Sequence, residues 1–234
     1  MRKFKATLTD HAINGPTVHG GIGNPVALRT APGYTGQMAP FQVRPEKPDD
    51  TDAVAALHVR AWQRGYAGIV PDDFLATLDP AAWAQRRRER LDTYRAGPFV
   101  SLVAADGTGR LGGFTTVGPY QNDQNPADID GAHGQLLAIY VDPPLWGTGA
   151  GRALMDAAMA ELTGRGYPDV RLWVLADNAR ARRFYERAGL THDGTRAMFR
   201  LDRITGTADG AGGGVELVEV RYAARLPRPA GPHG

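Results

Sequence analysis

The chain has 234 residues, of which 42% are hydrophobic and 22% charged, with a formal net charge of +2. This composition excludes a wholly disordered chain, and so small a charge gives no indication of nucleic-acid binding. Cysteine is absent, which excludes disulfides and cysteine metal sites, and the six histidines show no metal-ligand spacing. No apolar run reaches the roughly 20 residues of a membrane-spanning helix, and no secretory signal is evident, so we expect a cytoplasmic protein without a membrane partner.

The first predicted elements follow a long polar segment. Residues 1–40 are rich in Gly, Pro and Thr without a helical or strand period, so we predict an N-terminal tail, a domain over 41–226 and a C-terminal tail over 227–234. The stretch FQVRP predicts a short strand, and DDTDAVAALHVRAWQRGY predicts the first helix. AAWAQRRRERLDTY predicts a second helix, whose arginines 86–88 and 90 we interpret as a solvated face.

Two β-rich runs, PFVSLVAAD and GGFTTVGPY, predict a hairpin. The segment between them contains GTGRLG, a literal GxGxxG, but no helix follows, so a hairpin turn is the better interpretation. The polar segment QNDQNPADIDGAHG, residues 121–134, predicts a loop, and QLLAIYV predicts the strand after it.

Three glycines, Gly147, Gly149 and Gly151, lie between this strand and a helix whose apolar positions recur to Leu162. A strand, a Gly-rich turn and a helix start leave backbone N–H groups free to bind an anion, and glycine lets the ligand approach them. The dinucleotide pattern fails because Arg152 holds the place of its third glycine, and no Gly-Lys-Ser/Thr of a P-loop follows. The turn therefore predicts a phosphate site of another kind.

The remaining elements complete a mixed fold. VRLWVL predicts a strand, NARARRFYERAG a helix closed by Gly189, and AMFRLD with VELVEVRYAARL a final pair of strands. A hairpin followed by strand, helix and strand indicates a mixed sheet covered by helices.

The strand LLAIYVDP, the Gly-rich turn and the helix NARARRFYERAGL together resemble, in order and separation, the GNAT superfamily of N-acetyltransferases. The resemblance covers about residues 41–226 and implies an α/β fold (mixed α+β), a GNAT-type three-layer sandwich. Its central mostly antiparallel mixed sheet would have about seven strands flanked by helices. The chain departs from the family at Trp146, where Arg or Gln is usual.

The resemblance also implies acetyl-CoA as co-substrate, with no metal. Residues 137–141 would lie beside the pantetheine arm, where a backbone N–H would polarise the thioester, and the turn would bind the pyrophosphate. The expected cofactor-binding residues are Ile139, Tyr140, Val141, Gly147, Thr148, Gly149, Ala150, Gly151, Arg152 and Asn178. Asn178 has helix capping as its alternative role, and Arg182 and Arg183 would join Arg152 near the CoA phosphates.

The same resemblance implies that Tyr185 is catalytic, as general acid for the departing thiolate, with a core tyrosine as the alternative. The base is not assigned. An alkyl ammonium of pKa about 10.4 costs roughly 4 to 5 kcal/mol to deprotonate at pH 7. Gln135 stands where many relatives carry Glu and cannot accept a proton, while His133, Asp128 and Asp130 are either loop residues or bases acting through water.

We therefore expect an acyl-CoA-dependent N-acetyltransferase of the EC 2.3.1 acyltransferase class. It would transfer acetyl from acetyl-CoA to a primary amine, of a small molecule or a protein N-terminus, by direct attack, as a monomer or homodimer. Trp62 and Tyr66 belong to the segment that shapes the acceptor pocket in this family. The alternative is a catalytically weak or inactive acyl-CoA-binding sensor or interaction protein, which Gln135 favours and Tyr185 argues against.

Overall fold

The computed structural model describes residues 41–122, 125–201 and 214–227. The predicted tail over 1–40 and residues 228–234 of the predicted C-terminal tail lie outside the described residues, as does the side chain of Asp128. Within the described ranges, no helix combines the length and apolar character needed to cross a membrane.

One sheet of seven strands organises the described residues. The strands are β1 (Gln42–Pro45), β2 (Val100–Ala105), β3 (Leu111–Asn122), β4 (Asn125–Val141), β5 (Asp169–Leu175), β6 (Thr191–Arg200) and β7 (Glu216–Arg225). The helices are α1 (Thr51–Gly65), α2 (Asp72–Ala76), α3 (Pro80–Ala96), α4 (Ala150–Gly164) and α5 (Ala179–Arg187). The strand order is β1-β2-β3-β4-β5-β7-β6, and only β4 and β5 pair in parallel. The predicted mixed, mostly antiparallel sheet is confirmed.

Local signals explain where two of the helices begin. The carboxylate of Asp79 accepts hydrogen bonds from the backbone amides of Ala81 and Ala82 at 3.0 and 3.2 Å. Proline is the first residue of α3, a position where its missing N–H costs no helical hydrogen bond. The side chain of Asn178 accepts from the amide of Ala181 at 3.0 Å and caps α5 in the same way.

Helices cover both faces of the sheet. On one face α4 buries Leu154 and Leu162, and α5 packs beside it. On the other face α1 buries Val54 and Leu57 against β2, β3 and β4, and α3 packs against α1. Burying these side chains is the main stabilising term, at roughly 1.5–3 kcal/mol for each large apolar residue.

Residues 121–122 and 125–134 of the polar segment lie in strands, so the prediction of a loop is wrong for them. Strand β3 runs to Asn122 and β4 starts at Asn125, and Tyr120 and Gln121 pair with Asp130 and Ile129. The composition was misleading because a cross-strand ladder satisfies backbone groups whatever the side chains are. The GTGRLG segment is the predicted hairpin turn, with Gly109 at φ +87° and the Asp106 carboxylate accepting from the Thr108 amide.

The centre of the sheet contains two irregularities beside each other. Strands β4 and β5 pair only at Gly134 with Val170 and at Gln135 with Arg171, and then separate. Strand β4 also carries a bulge, since Val117 pairs with Leu136 and Thr116 with Ala138, which leaves Leu137 as the extra residue. The edge of β4 that faces β5 is therefore unpaired from residue 136 to its end.

Candidate active site

The glycine-rich turn has the geometry of an anion site. Gly147 and Gly149 have φ angles of +83° and +100°, a region that side chains strongly disfavour, so glycine is required at both positions. No side chain caps α4, and its first backbone bond runs from the Ala153 amide to the Gly149 carbonyl at 3.0 Å. The amides of residues 150–152 precede that bond and remain available to an anion, where the helix dipole adds to the attraction.

Residues 147–149 of this turn are exposed, whereas Ala150 directly after them is buried. A Cβ at Gly151 would lie 3.4 Å from Phe184 of α5 and 3.5 Å from Val141 of β4, so these two elements and α4 converge there. Ile139 and Val141 pack toward α4, while Tyr140 lies on the opposite face with α1. The side chains of Ile139 and Val141 thus lie on the same face of β4 as the turn and α4, whereas that of Tyr140 does not.

The indole of Trp146 makes two contacts beside the turn, one through its N–H group and one through its ring face. Its Nε1–H donates to the Val141 carbonyl at 2.8 Å, and the Arg180 guanidinium lies over its ring, 3.1 Å from the centroid. Burial and the charge of Arg64 lower the pKa of Arg180, so a second cation lies near this stack. The indole at the position usual for Arg or Gln therefore holds an arginine supplied by α5 beside the turn.

The other predicted phosphate contacts are arranged differently. Arg152 is exposed and lies 3.5 Å from Asp156, and Arg183 is also exposed. Arg182 donates to the Tyr222 hydroxyl at 3.1 Å and to the Ala176 carbonyl at 3.0 Å, which holds it against the sheet. The structure adds Arg180, which sequence reasoning missed.

Tyr185 is buried in α5. Burial first, and then Tyr140, raises its pKa well above the ordinary value of 10. The phenol therefore remains protonated and retains a donor. The catalytic role and the alternative of a core tyrosine both stay predictions.

Two further tyrosines lie beside Tyr185. The hydroxyls of Tyr66 and Tyr140 are 3.3 Å apart, and burial, followed by Tyr140, Tyr185 and Glu219, raises the pKa of Tyr66. Tyr66 ends α1 and Tyr140 is in β4, so the cluster joins elements from both faces where β4 and β5 separate. No pattern in the sequence indicates that these side chains and Glu219 of β7 lie together.

The residues at and before the start of QLLAIYV, where a base was sought, are Gln135, His133 and Asp130, and Gln135 cannot act as a base. The Gln135 side chain is buried and accepts from the Gln121 amide at 2.8 Å. His133 donates from Nδ1 to Asp169 at 2.8 Å and accepts at Nε2 from Arg171 at 2.8 Å, so both ring nitrogens are engaged. Asp130 is nearly half exposed, 3.7 Å from His133. The described residues contain no metal-binding group of His, Cys, Asp and Glu.

A narrow cleft, partly open to solvent, lies between α1, α3 and the sheet. Its floor is formed by Phe114 and Thr116 of β3 and Ala138 of β4, directly after the bulge. The cleft thus lies on the face of the sheet opposite α4.

Three of the α3 arginines line this cleft, so the interpretation of 86–88 and 90 as a solvated face is wrong for Arg86, Arg87 and Arg90. Each is half-buried, whereas Arg88 is exposed and pairs with Asp52 at 2.6 Å. The difference follows from helix geometry, because residues three and four positions apart share a face, so Arg86, Arg87 and Arg90 lie on one face and Arg88 on another. The spacing of Trp83, Arg87 and Tyr94 indicates that they share one face of α3, but the sequence does not show that this face turns toward the sheet.

Comparison with known proteins gives one consistent family. The model of the Acetyltransferase (GNAT) family matches residues 57–190. The chain is 32% identical over 136 residues to an uncharacterized N-acetyltransferase of Bacillus subtilis (strain 168), covering 58% of this chain and 72% of that protein. It is 32% identical over 144 residues to the mycothiol acetyltransferase of Actinosynnema mirum, covering 61% of this chain but only 41% of that protein.

Solved structures share the fold at low identity. The PaiA N-acetyltransferase of Thermoplasma acidophilum, solved with coenzyme A, has a TM-score of 0.60 at 16% identity and covers 80% of this chain and 99% of that chain. A putative acetyltransferase of Salmonella typhimurium, solved with acetyl-CoA, has a TM-score of 0.58 at 19% identity and covers 82% of this chain and 98% of that chain.

Proposed function

Because this chain belongs to the GNAT family of acetyltransferases, we propose that it transfers an acetyl group from acetyl-CoA to a primary amine. The amine, on a small molecule or a protein N-terminus, attacks the acetyl carbonyl directly, without a covalent enzyme intermediate. The observation that carries the proposal is the uncapped start of α4 next to the unpaired edge of β4. The cytoplasmic location and the monomeric or homodimeric state belong to the same proposal.

The residues of the turn fit the pyrophosphate of acetyl-CoA. The amides of residues 150–152 carry no side-chain cap, and no atom lies within 4 Å of where a Cβ would stand at Gly147. The unpaired backbone of Ile139, Tyr140 and Val141 can hydrogen-bond to the pantetheine amides as an added strand would. When bound there, acetyl-CoA supplies an acetyl group activated as a thioester.

Two groups of the chain support the reaction in this proposal. A backbone N–H of β4 near the bulge polarises the acetyl carbonyl and stabilises the oxyanion. The Tyr185 hydroxyl donates a hydrogen bond to the leaving sulfur. The ordinary pKa of tyrosine already exceeds that of a thiol, and burial raises the pKa of Tyr185 further, so complete proton transfer costs about 1.4 kcal/mol for each pKa unit of difference. Its main role is then to stabilise the thiolate by donating.

Gln135 favours a second candidate function, a GNAT-fold sensor that binds acyl-CoA without turnover. A buried amide that accepts from the Gln121 amide at 2.8 Å cannot take a proton from an ammonium group. The protonated hydroxyl of Tyr185 favours the enzyme, because a sensor has no use for a donor at the leaving sulfur.

The proposal is tested by measuring release of free thiol from acetyl-CoA with a panel of amines and peptide N-termini. We expect release with at least one amine, and a loss of roughly 100-fold in kcat for Tyr185→Phe. Acetyl-CoA should raise the melting temperature of the unaltered chain and of Tyr185→Phe, since a ligand at 100 times its Kd stabilises the folded state by about 2.7 kcal/mol. The matched control is Tyr167→Phe, a half-buried tyrosine on the loop after α4.

The results separate the two candidate functions. Thermal stabilisation by acetyl-CoA without thiol release from any amine contradicts the enzyme and supports the sensor. Absence of stabilisation contradicts the binding of acetyl-CoA altogether. Equal losses in Tyr185→Phe and Tyr167→Phe would show that Tyr185 has no special role.

A further inference from the structure

Helix α5, which carries Tyr185, buries little apolar surface against the sheet. Tyr185 is the one buried residue among 179–187, all of which the structure describes, and Ala181 and Phe184 pack against the same core only in part. A helix that covers a sheet ordinarily buries an apolar stripe along its length. Because α5 lacks such a stripe, other contacts must set its rotation about its own axis.

The hydroxyl of Tyr222, in β7, supplies such contacts. The Tyr222 side chain is fully buried. Its hydroxyl accepts a hydrogen bond from Nε of Arg182 at 3.1 Å and donates one to Oε1 of Glu186 at 2.8 Å. Both partners belong to α5, three residues before Tyr185 and one residue after it. Hydrogen bonds to charged groups are short and strong, so this one hydroxyl holds α5 on either side of Tyr185.

Arg182 connects α5 to β7 by a second route. Its guanidinium also donates to the Ala176 carbonyl at 3.0 Å, and the Ala176 amide donates to the Val218 carbonyl of β7 at 2.8 Å. The hydrogen bond with Tyr222 is the largest cause of the raised pKa of Arg182, so the guanidinium stays charged in this position. Arg182 is therefore held at two points, one of which is the Tyr222 hydroxyl.

The rings of Tyr222 and Tyr185 are neighbours in the same buried cluster. Their centroids are 6.2 Å apart and their planes are inclined by 47°. The Tyr185 hydroxyl lies at the far end of its side chain, so a small rotation of α5 moves it farther than it moves the backbone. A misplacement of about 1 Å can reduce a rate on the order of 100-fold. The effectiveness of the Tyr185 phenol as a donor thus depends on how α5 is held.

We propose that Tyr222 is a positioning residue: by holding Arg182 and Glu186 it fixes the rotation of α5 and so directs the Tyr185 hydroxyl at the leaving sulfur. This inference rests on the proposed acetyltransferase function. The Tyr222 hydroxyl is itself engaged by Arg182 and Glu186 and needs no contact with the reacting atoms. Its effect on the rate therefore passes through Tyr185.

The test is a double-mutant cycle between the two tyrosines. Tyr222→Phe keeps the buried ring and removes only the hydroxyl. We expect the kcat of thiol release to fall about 10-fold, with the KM for acetyl-CoA unchanged. In the Tyr185→Phe background the same change should have no further effect on kcat, because the group that Tyr222 positions is absent. A loss of stability alone would lower kcat equally in both backgrounds.

Tyr120→Phe is the matched control. Tyr120 is also a buried tyrosine, and its hydroxyl also accepts from an arginine, Arg221 at 3.3 Å, and from Trp173 at 3.2 Å. Neither partner belongs to α5, so this variant should retain the kcat of the unaltered chain.

A second measurement does not depend on turnover. With tyrosine labelled with ¹³C at Cζ, each of the eight tyrosines of the full chain gives an NMR signal, and Tyr185→Phe identifies the signal of Tyr185 by its loss. Without acetyl-CoA, Tyr222→Phe should move this signal and Tyr120→Phe should not. Arg182→Met breaks the same hydrogen bond from the α5 side, with the Tyr222 ring unchanged, and should also move the signal.

The outcomes for this inference and for the proposed function are distinguishable. An unchanged kcat in Tyr222→Phe, an equal fall in both backgrounds or the same fall in Tyr120→Phe overturns the inference and leaves the acetyltransferase in place. Full activity of Tyr185→Phe also overturns it. If no amine gives thiol release, the proposed function fails and the NMR signal of Tyr185 decides. Movement in Tyr222→Phe but not in Tyr120→Phe then supports positioning by Tyr222, and an unmoved signal overturns it.

Discussion

The glycine turn and the arginine cleft lie on opposite faces of β4 and are built from different parts of the chain. The turn uses backbone amides and two glycines with positive φ within a few consecutive residues. The cleft uses side chains from α1, α3, β3 and β4, between Ala55 and Ala138. A backbone site tolerates changes of side chain but not of conformation, whereas a side-chain site has the opposite sensitivity.

The largest expected effect is on the turn. Gly149→Val places a β-branched residue at φ +100°, which costs about 1–3 kcal/mol and displaces the amides that follow. We expect acetyl-CoA to bind at least 100-fold more weakly, measured as loss of its thermal stabilisation. Gly164→Ala is the control, because it lies in the last turn of the same helix with no atom within 4 Å of its Cβ position. Normal binding by Gly149→Val would mean that the phosphate site is elsewhere.

The second effect concerns the cleft and depends on pH. Because the pKa of His58 is lowered in the folded state, the unfolded chain binds the proton first as the pH falls below about 6.5. His58 should therefore reduce the free energy of unfolding by up to about 1.4 kcal/mol per pH unit below that value.

The measurement is denaturant unfolding at pH 7.5, 6.5 and 5.5. His58→Gln keeps an acceptor for Trp62 and should lose this part of the pH dependence. Exposed His192 gives the control His192→Gln, which should behave as the unaltered chain does. Parallel pH curves for His58→Gln and the unaltered chain would show that His58 is accessible to protons in the folded state.

The smallest expected effect concerns the contribution of a side chain to acetyl-CoA binding at the turn. Arg180 lies over Trp146, so Arg180→Gln removes a cation beside the proposed pyrophosphate site. We expect acetyl-CoA to bind about three- to fivefold more weakly, since a charge near a helix start contributes about 0.3–1 kcal/mol. Arg187→Gln, at the end of the same helix, should leave the affinity unchanged. Equal affinities for the two variants would make the turn a purely backbone site.

The elements that the sequence predicted best are those with local causes. Helix α5 starts after Asn178 and ends before Gly189, and α4 starts after Gly147 and Gly149. Such limits are predictable because helix caps and positive φ angles depend on adjacent residues. The prediction for 121–134 was wrong because the partner strand supplies hydrogen bonds that polar composition does not reveal.

The sequence by itself determined the order along the chain of the seven strands and of α1, α3, α4 and α5, but not α2; it also determined the glycine turn at the start of α4 and the family resemblance. The tertiary structure decided that Arg86, Arg87 and Arg90 line a cleft, that Trp146 holds Arg180, and that Tyr66, Tyr140 and Tyr185 lie together. The physical reason is distance along the chain. A turn is set by the torsions of neighbouring residues, whereas a side-chain site depends on which helix faces pack against the sheet and on where β4 leaves β5.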